Sequence, residues 1–165
     1  MKQIVQNLNS KEGIEIADFP SPMNKPGHVL IKTKKSLVSL GTERMIVEFG
    51  NANLLHKAKQ KPDQVKRVLN KIKTDGLGAT LDTVRTKLDQ AIPLGYCNYG
   101  VVIESSIQDI KVGDRVASNG PHAEIVRVPE KLVAKVPDNV SGDEAVFTVI
   151  GSIGLQGIRL AKPTF

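Results

Sequence analysis

The stretch that decides the fold is residues 111–129, which read KVGDRVASNGPHAEIVRVP. Gly113 and Asp114 supply a turn that enters the apolar segment 115–117, and residues 123–129 alternate apolar and polar side chains. Alternation with a period of two is typical of a strand that is buried on one face. This stretch therefore predicts two short strands separated by turn residues.

The same pattern recurs on both sides of this stretch. Residues 100–104 and 132–137 form further predicted strands, and so do residues 12–19 and 28–33 near the start of the chain. Proline and glycine residues between positions 20 and 27 punctuate the connection between the two early strands. Many short strands joined by glycine and proline turns predict a sandwich or a partly open barrel, which is a mainly β architecture.

Residues 51–91 switch to a helical period. Apolar side chains recur at i, i+3, i+4 and i+7 over 65–72, after Pro62, which stands where a first-turn proline is tolerated. A second helical pattern follows over 81–88, with Thr80 as its N-cap. The segment 57–73 carries seven basic residues and one acid. This charge fits either a solvated helix face or a basic binding patch, and the sequence leaves both interpretations open.

The C-terminal segment differs again. Ser141 and Glu144 have the spacing of a capping box, and residues 145–161 are mostly apolar and small. They predict one helix from about 142 to 161, which ends before Pro163. Because a largely apolar helix closes the chain, we expect the chain to be a fragment of a longer protein.

Composition excludes several classes of protein. The chain has 165 residues, one cysteine and three separated histidines, which argue against a disulfide framework and a multi-cysteine zinc module. Four Phe, two Tyr and no Trp argue against a stacking platform for nucleic acid, although the net charge is +6. No apolar run approaches the ~18 residues of a membrane span, and no signal peptide opens the chain. We therefore expect a cytoplasmic domain without a membrane partner.

Several motifs in a fixed order carry a family resemblance. They are PGHVLIK (26–32), SLVSLGTE (36–43), PLGY (93–96) with GVV (100–102), KVGDRVA (111–117), and HAE with LVAKVP (122–137). Together they resemble the GroES-like N-terminal domain of the medium-chain dehydrogenase/reductases, the zinc-type alcohol dehydrogenase superfamily. In that family the domain is an irregular β-barrel that forms one wall of the substrate cleft.

The resemblance also implies a domain organisation. Residues 1–43 and 93–140 would form the barrel, 44–92 a helical insertion, and 141–165 a helix that leads into a Rossmann domain. In the family that next domain binds NAD or NADP through G-x-G-x-x-G. The implied whole is α+β, and the chain alone is expected to lack activity.

The departures from the family pattern concern zinc. Zinc members carry C-G-T-D where this chain has Leu40–Glu43, and G-H-E where it has Gly95–Cys97. Leu40 and Tyr96 thus stand at two ligand positions, and the third position aligns near Thr148. A single thiolate without partners is not a zinc site, so we expect no bound zinc.

The resemblance implies roles for four hydroxyl-bearing side chains. Thr42 matches the family hydroxyl that relays a proton to the reacting oxygen, and Tyr96, at the position of the family's ligand histidine, is the second catalytic candidate. Ser39 and Thr148 are the candidate substrate-binding residues. Without zinc, polarising a carbonyl falls to such hydrogen-bond donors.

The long insertion narrows the resemblance to one branch. The order SLGTERM, helices, PLGY resembles the bacterial threonine-dehydrogenase-related oxidoreductases, which occur in surface-polysaccharide pathways. This implies a zinc-independent NAD(P)-dependent oxidoreductase whose small-molecule substrate is a sugar or sugar nucleotide, and it is compatible with a homo-oligomer. The alternative is a degenerate binding module whose basic insertion binds an acidic partner or nucleic acid.

Overall fold

The computed structural model describes residues 1–7, 13–51, 62–76, 78 and 91–164. The chain divides into two compact units. The first, here called the barrel unit, comprises Met1–Ile4, Ile16–Ser39 and Pro93–Phe165, and the second comprises Val5–Glu15 and Leu40–Ile92.

The larger sheet lies in the barrel unit and has five antiparallel strands. Its order is β7-β3-β5-β6-β8, where the strands are β3 His28–Ser36, β5 Asn98–Ser105, β6 Arg115–Ser118, β7 Ile125–Pro129 and β8 Val133–Lys135. The long strand β3 pairs with β5 on one side and β7 on the other, with register shifts after Leu30 and Thr33. The strands predicted from residues 111–129 are therefore present, on two different parts of this sheet.

A smaller sheet has three strands in the order β2-β1-β4. They are β1 Lys2–Gln6, β2 Ile14–Asp18 and β4 Ile92–Pro93. In the barrel unit, β1 also reaches the start of the HAE motif, because the Ile4 N–H donates to the His122 carbonyl at 2.8 Å. This contact places the N-terminal strand beside residues that belong to the family motifs.

The core explains the alternating patterns. Buried apolar side chains from β3, β5, β6 and β7 form one cluster, which includes Val29, Ile31, Val102, Val116, Val126 and Val128. Fully burying a side chain of this size contributes roughly 1.5–3 kcal/mol. The intervening residues of β7, such as Arg127, face solvent. Along these strands, the apolar residues of the alternating pattern face the core and the polar residues between them face solvent.

Two helices lie in the second unit, α1 Leu40–Asn51 and α2 Pro62–Asp75. Helix α2 begins at Pro62, as predicted, and its apolar stripe includes Val65, Val68 and Ile72, which are half-buried. Helix α1 begins at Leu40, inside the motif at 36–43 that was expected to belong to the barrel. The predicted helix over 81–88 and its N-cap Thr80 fall outside the described residues.

The C-terminal segment forms two helices, α3 Gly142–Ala145 and α4 Thr148–Ala161, where one had been predicted. The capping box is present: the Ser141 hydroxyl accepts from the Glu144 N–H, and the Glu144 carboxylate accepts from the Ser141 N–H. The break follows from the hydrogen bond of Phe147, whose N–H donates to Glu144, three residues back, at 3.1 Å. Within the described part of the chain, no helix is both long and apolar enough to cross a membrane.

Candidate functional site

Three of the four predicted site residues lie in the barrel unit, and one lies in the second unit. Ser39, Tyr96 and Thr148 belong to the barrel unit. Thr42 belongs to the second unit, where its side chain is exposed in the first turn of α1. The relative positions of Ser39, Tyr96 and Thr148 are therefore described within one unit, and Thr42 is described by itself within the other.

Tyr96 is half-buried and stands in a loop that is fixed on both sides. The His122 N–H donates to the Leu94 carbonyl at 2.8 Å, and the Leu94 N–H donates to the Ile4 carbonyl at 3.1 Å. Gly95 has a φ of +88°, and Cys97 is fully buried. Backbone hydrogen bonds thus hold the residue before this loop, and the buried thiol anchors the residue after it.

Ser39 lies three residues after the end of β3 and is half-buried. The Leu37 N–H donates to the Cys97 carbonyl at 3.0 Å, so the segment that leaves β3 is joined to the segment that carries Tyr96. The structure therefore brings the chain segments of Ser39 and Tyr96 side by side.

Thr148 lines a different surface, which we call the α4 groove. This groove has a volume of about 330 Å³ and lies between the end of β6, the 131–134 segment and α4. Ser118, Leu132, Val133 and Ser152 line it together with Thr148, whereas Ser39 and Tyr96 do not. The Thr148 hydroxyl donates to the Ala145 carbonyl at 2.7 Å, so its proton is engaged and its oxygen can accept a further hydrogen bond. Thr148 is therefore placed to accept a hydrogen bond there.

A second groove of about 320 Å³ was not anticipated from the sequence, and we call it the β3 groove. It is lined by residues of β1, β3 and the HAE motif, among them Lys2, Ile4, Thr33, Ser36, His122 and Glu124. His122 is one of three histidines that stand isolated in the sequence. In the structure its ring lies close to Gly95, where a Cβ would be 2.6 Å from three ring atoms, and no local sequence pattern indicates this contact.

The residues at the zinc-ligand positions do not fit a zinc ion. Leu40 offers no donor atom, and its side chain is largely exposed. Among the residues that the structure describes, no group of three His, Cys, Asp or Glu side chains is arranged to hold a metal. A tetrahedral zinc site needs at least three such protein ligands.

The carboxyl groups with lowered pKa values serve the fold. The Lys111 N–H and then the Lys135 ammonium hold the pKa of Asp114 below its usual range, in the turn before β6. The Ser141 N–H and then its hydroxyl lower the pKa of Glu144 in the capping box. Both carboxyl groups are thus charged structural partners of a turn and a helix end.

No protein-family model and no curated protein sequence matches the chain. Among solved structures, it superposes on the quinone oxidoreductase from Coxiella burnetii with a TM-score of 0.67 at 19% identity, over 98% of this chain and 45% of that chain. For galactitol-1-phosphate dehydrogenase from Escherichia coli the TM-score is 0.66 at 16% identity, with the same coverage of both chains. A mycobacterial protein complexed with NADPH gives 0.57 at 21% identity, over 88% and 35%.

This chain shares the fold of the matching part of these oxidoreductase structures, in agreement with the GroES-like domain that the sequence motifs predicted. The expected fold class, a β-barrel-type domain with helices that make it α+β overall, is confirmed. The GroES-like domain spans less than half the length of the first two structures. At these identities the likeness establishes the fold alone.

Proposed function

We propose that this chain is the substrate-side domain of a zinc-independent NAD(P)-dependent oxidoreductase that acts on a sugar or sugar nucleotide. The fold likeness to a quinone oxidoreductase and to a sugar-alcohol phosphate dehydrogenase over 98% of the chain carries the proposal. The zinc-independent part rests on Leu40, which has no donor atom at a ligand position. The setting that we propose is a cytoplasmic enzyme, which could assemble as a homo-oligomer.

The chemistry divides between the cofactor and this domain. NAD or NADP, bound by a Rossmann domain of the whole enzyme, supplies hydride transfer. The GroES-like domain binds and orients the substrate, with Ser39 and Thr148 as its substrate-binding residues. Thr42 and Tyr96 are the catalytic hydroxyls in this proposal, and a well-placed donor to an oxygen on which charge develops contributes about 3 kcal/mol.

The composition of α4 supports a continuation of the fold. Large apolar side chains of this helix are exposed, including Ile153, Leu155, Ile158 and Leu160. A helix that is apolar around most of its circumference is normally buried. In our proposal the cofactor-binding domain covers it, and the chain by itself neither binds NAD(P)H nor turns over substrate.

Zinc analysis tests the first part of the proposal. Purified chain should contain no stoichiometric zinc, because Leu40 and Tyr96 replace two ligands and the family site needs three. Elemental analysis of protein expressed with added zinc makes the measurement, and Leu40→Cys combined with Tyr96→His provides the matched gain-of-ligand variant. About one retained zinc per unmodified chain after mild chelation would refute zinc independence.

Substitution of the two hydroxyls tests the catalytic part. In the whole enzyme, Thr42→Val and Tyr96→Phe should each lower turnover by at least about tenfold, because each removes one donor to the reacting oxygen. Thr42→Ser keeps a hydroxyl and should retain most of the activity. Unchanged turnover in both Thr42→Val and Tyr96→Phe would leave the chain with a fold assignment and no catalytic role for these residues.

A further inference from the structure

The β3 groove lies within the barrel unit and includes none of the candidate catalytic or substrate-binding residues. Its volume of about 320 Å³ is at the lower end of the range for small-molecule sites. Apolar side chains of Ile4, Ile16 and Ala123 form part of its lining, and the rest is polar. What the groove can bind depends on which hydrogen-bonding atoms the polar residues leave available.

A row of polar side chains crosses three neighbouring strands behind the groove. Asn98 on β5 is 1% exposed, and its amide nitrogen donates to the Thr33 hydroxyl on β3 at 2.8 Å. On the other side, the hydroxyl of buried Ser118 on β6 donates to the Asn98 amide oxygen at 3.4 Å. The Asn98 amide oxygen is thus engaged by Ser118, and the Asn98 amide nitrogen donates to Thr33.

This arrangement makes Thr33 a donor towards the groove. An amide nitrogen can only donate, so the Thr33 oxygen is the acceptor in that bond and its own proton is left for another partner. Among the described residues, the Thr33 hydroxyl has no second hydrogen bond. Ser36 also lines the groove, and its hydroxyl makes no hydrogen bond to any residue that the structure describes.

Glu124 places an acceptor next to this donor. The Thr33 N–H donates to the Glu124 carbonyl at 2.9 Å, so Thr33 on β3 is paired with the residue that directly precedes β7. Side chains paired in this way have Cβ atoms about 5 Å apart. One Glu124 carboxylate oxygen accepts from the Lys2 N–H at 2.7 Å, and the other oxygen can accept from a ligand.

From this juxtaposition we infer that the β3 groove binds a neutral polyhydroxylated molecule of the sugar class. A hydroxyl group both accepts and donates, so one ligand hydroxyl can accept from Thr33 and donate to Glu124. The apolar lining provides a surface for the C–H face of a sugar ring. Lys2 and Glu124 carry opposite charges, so the groove has no excess charge of one sign to favour a free anion.

The test is a nuclear magnetic resonance titration of the ¹⁵N-labelled chain with D-glucose, D-galactose and D-mannose as probes. At least one sugar should give saturable shifts at the amides of Thr33 and Glu124, with a dissociation constant on the order of 1 mM, as expected for a small open site. Tetrahydropyran, which has the ring without hydroxyls, and acetate, which is an anionic acceptor, are the matched control probes and should give no saturable shift there.

Variants assign the binding to the two named groups. Thr33→Val and Glu124→Gln should each weaken binding at least about fivefold, whereas Thr33→Ser, which keeps the donor, should bind like the unmodified chain. If Thr33→Val fails to fold by circular dichroism, Glu124→Gln decides alone. Binding that is unchanged in the folded variants overturns the inference.

The control probes provide a second way to fail. No saturable shift with any of the three sugars, or equal shifts with tetrahydropyran, overturns the inference as well. Tighter binding of acetate than of sugar would identify an anion site instead and overturn the sugar assignment. Because the titration needs neither cofactor nor turnover, its failure leaves the oxidoreductase proposal untouched, and failure of that proposal leaves this one untouched.

Discussion

The imidazole ring of His122 occupies the space that a Cβ of residue 95 would need, and residue 95 is a glycine. A Cβ at position 95 would be 2.6 Å from three atoms of that ring, and His122 is 5% exposed. Gly95 also has a φ of +88°, which side chains rarely tolerate. The loop that carries Tyr96 thus depends on a glycine for two separate reasons, steric and conformational.

Gly95→Ala should therefore destabilise the chain more than an ordinary glycine substitution at positive φ. The matched control is Gly113→Ala, since Gly113 has a φ of +92° and nothing within 4 Å of an added Cβ. The control should lose about 1–2 kcal/mol of unfolding free energy from backbone strain. Gly95→Ala should lose a further 1–3 kcal/mol or so from overpacking. Urea unfolding followed by circular dichroism measures both, and equal losses would show that the ring moves aside freely.

The contact between Gly95 and His122 also marks what the sequence could and could not predict. The strands of the barrel, the start of α2 at Pro62 and the capping box at Ser141 follow from local patterns, and the structure confirms them. The pairing of His122 with Gly95 joins residues 27 positions apart through β1, and no local period encodes it. A single alternating pattern cannot say which distant strand it will face.

The prediction of helix boundaries was wrong for a different reason. Residues 40–43 matched a family motif and were assigned to the barrel, but α1 begins at Leu40. The break at Val146 and Phe147 was also missed, because both residues are apolar and continue the helical pattern on either side. The Phe147 N–H donates to the Glu144 carbonyl, and Ala145 of α3 is buried in one cluster with Tyr99, which is distant in sequence. Composition does not encode that contact.

The capping box of α3 predicts how substitution of Ser141 changes the unfolding free energy at neutral pH. Ser141→Ala removes the hydroxyl that accepts from the Glu144 N–H, so the chain should lose about 0.5–2 kcal/mol of unfolding free energy. Ser141→Asp keeps an acceptor at the N-cap and should lose much less. Comparison of the urea midpoints measures the effect. Equal losses in the two variants would mean that the helix start is held by packing alone.

The same box predicts a pH dependence that can be assigned to Glu144. The Ser141 N–H and hydroxyl hold the pKa of the Glu144 carboxyl below its usual value. A carboxyl with a lowered pKa in the folded state contributes stability above its unfolded pKa and loses it as the pH falls through the folded pKa. The unfolding free energy should therefore decrease as the pH is lowered from about 5 to about 3. Glu144→Gln should flatten this part of the profile, and a profile that is identical with and without the carboxyl would contradict the assignment.

Substitution of Gly154 in α4 should affect stability differently in this chain and in the whole enzyme that we propose. An added Cβ at Gly154 meets nothing within 4 Å, and the residue lies inside a helix. In the 165-residue chain Gly154→Ala should therefore raise the unfolding free energy by about 1 kcal/mol, through helix propensity. Gly142→Ala is the matched contrast, because its Cβ would lie 2.5 Å from the Tyr99 ring and the chain should lose stability. If a cofactor-binding domain covers α4 in the whole enzyme, as we propose, the added methyl at 154 should lose its benefit or reverse sign. Thermal unfolding of the two proteins, each with and without Gly154→Ala, makes the comparison. An equal gain in both would show that this face of α4 stays open to solvent and would remove the support that α4 gives to a docked cofactor domain.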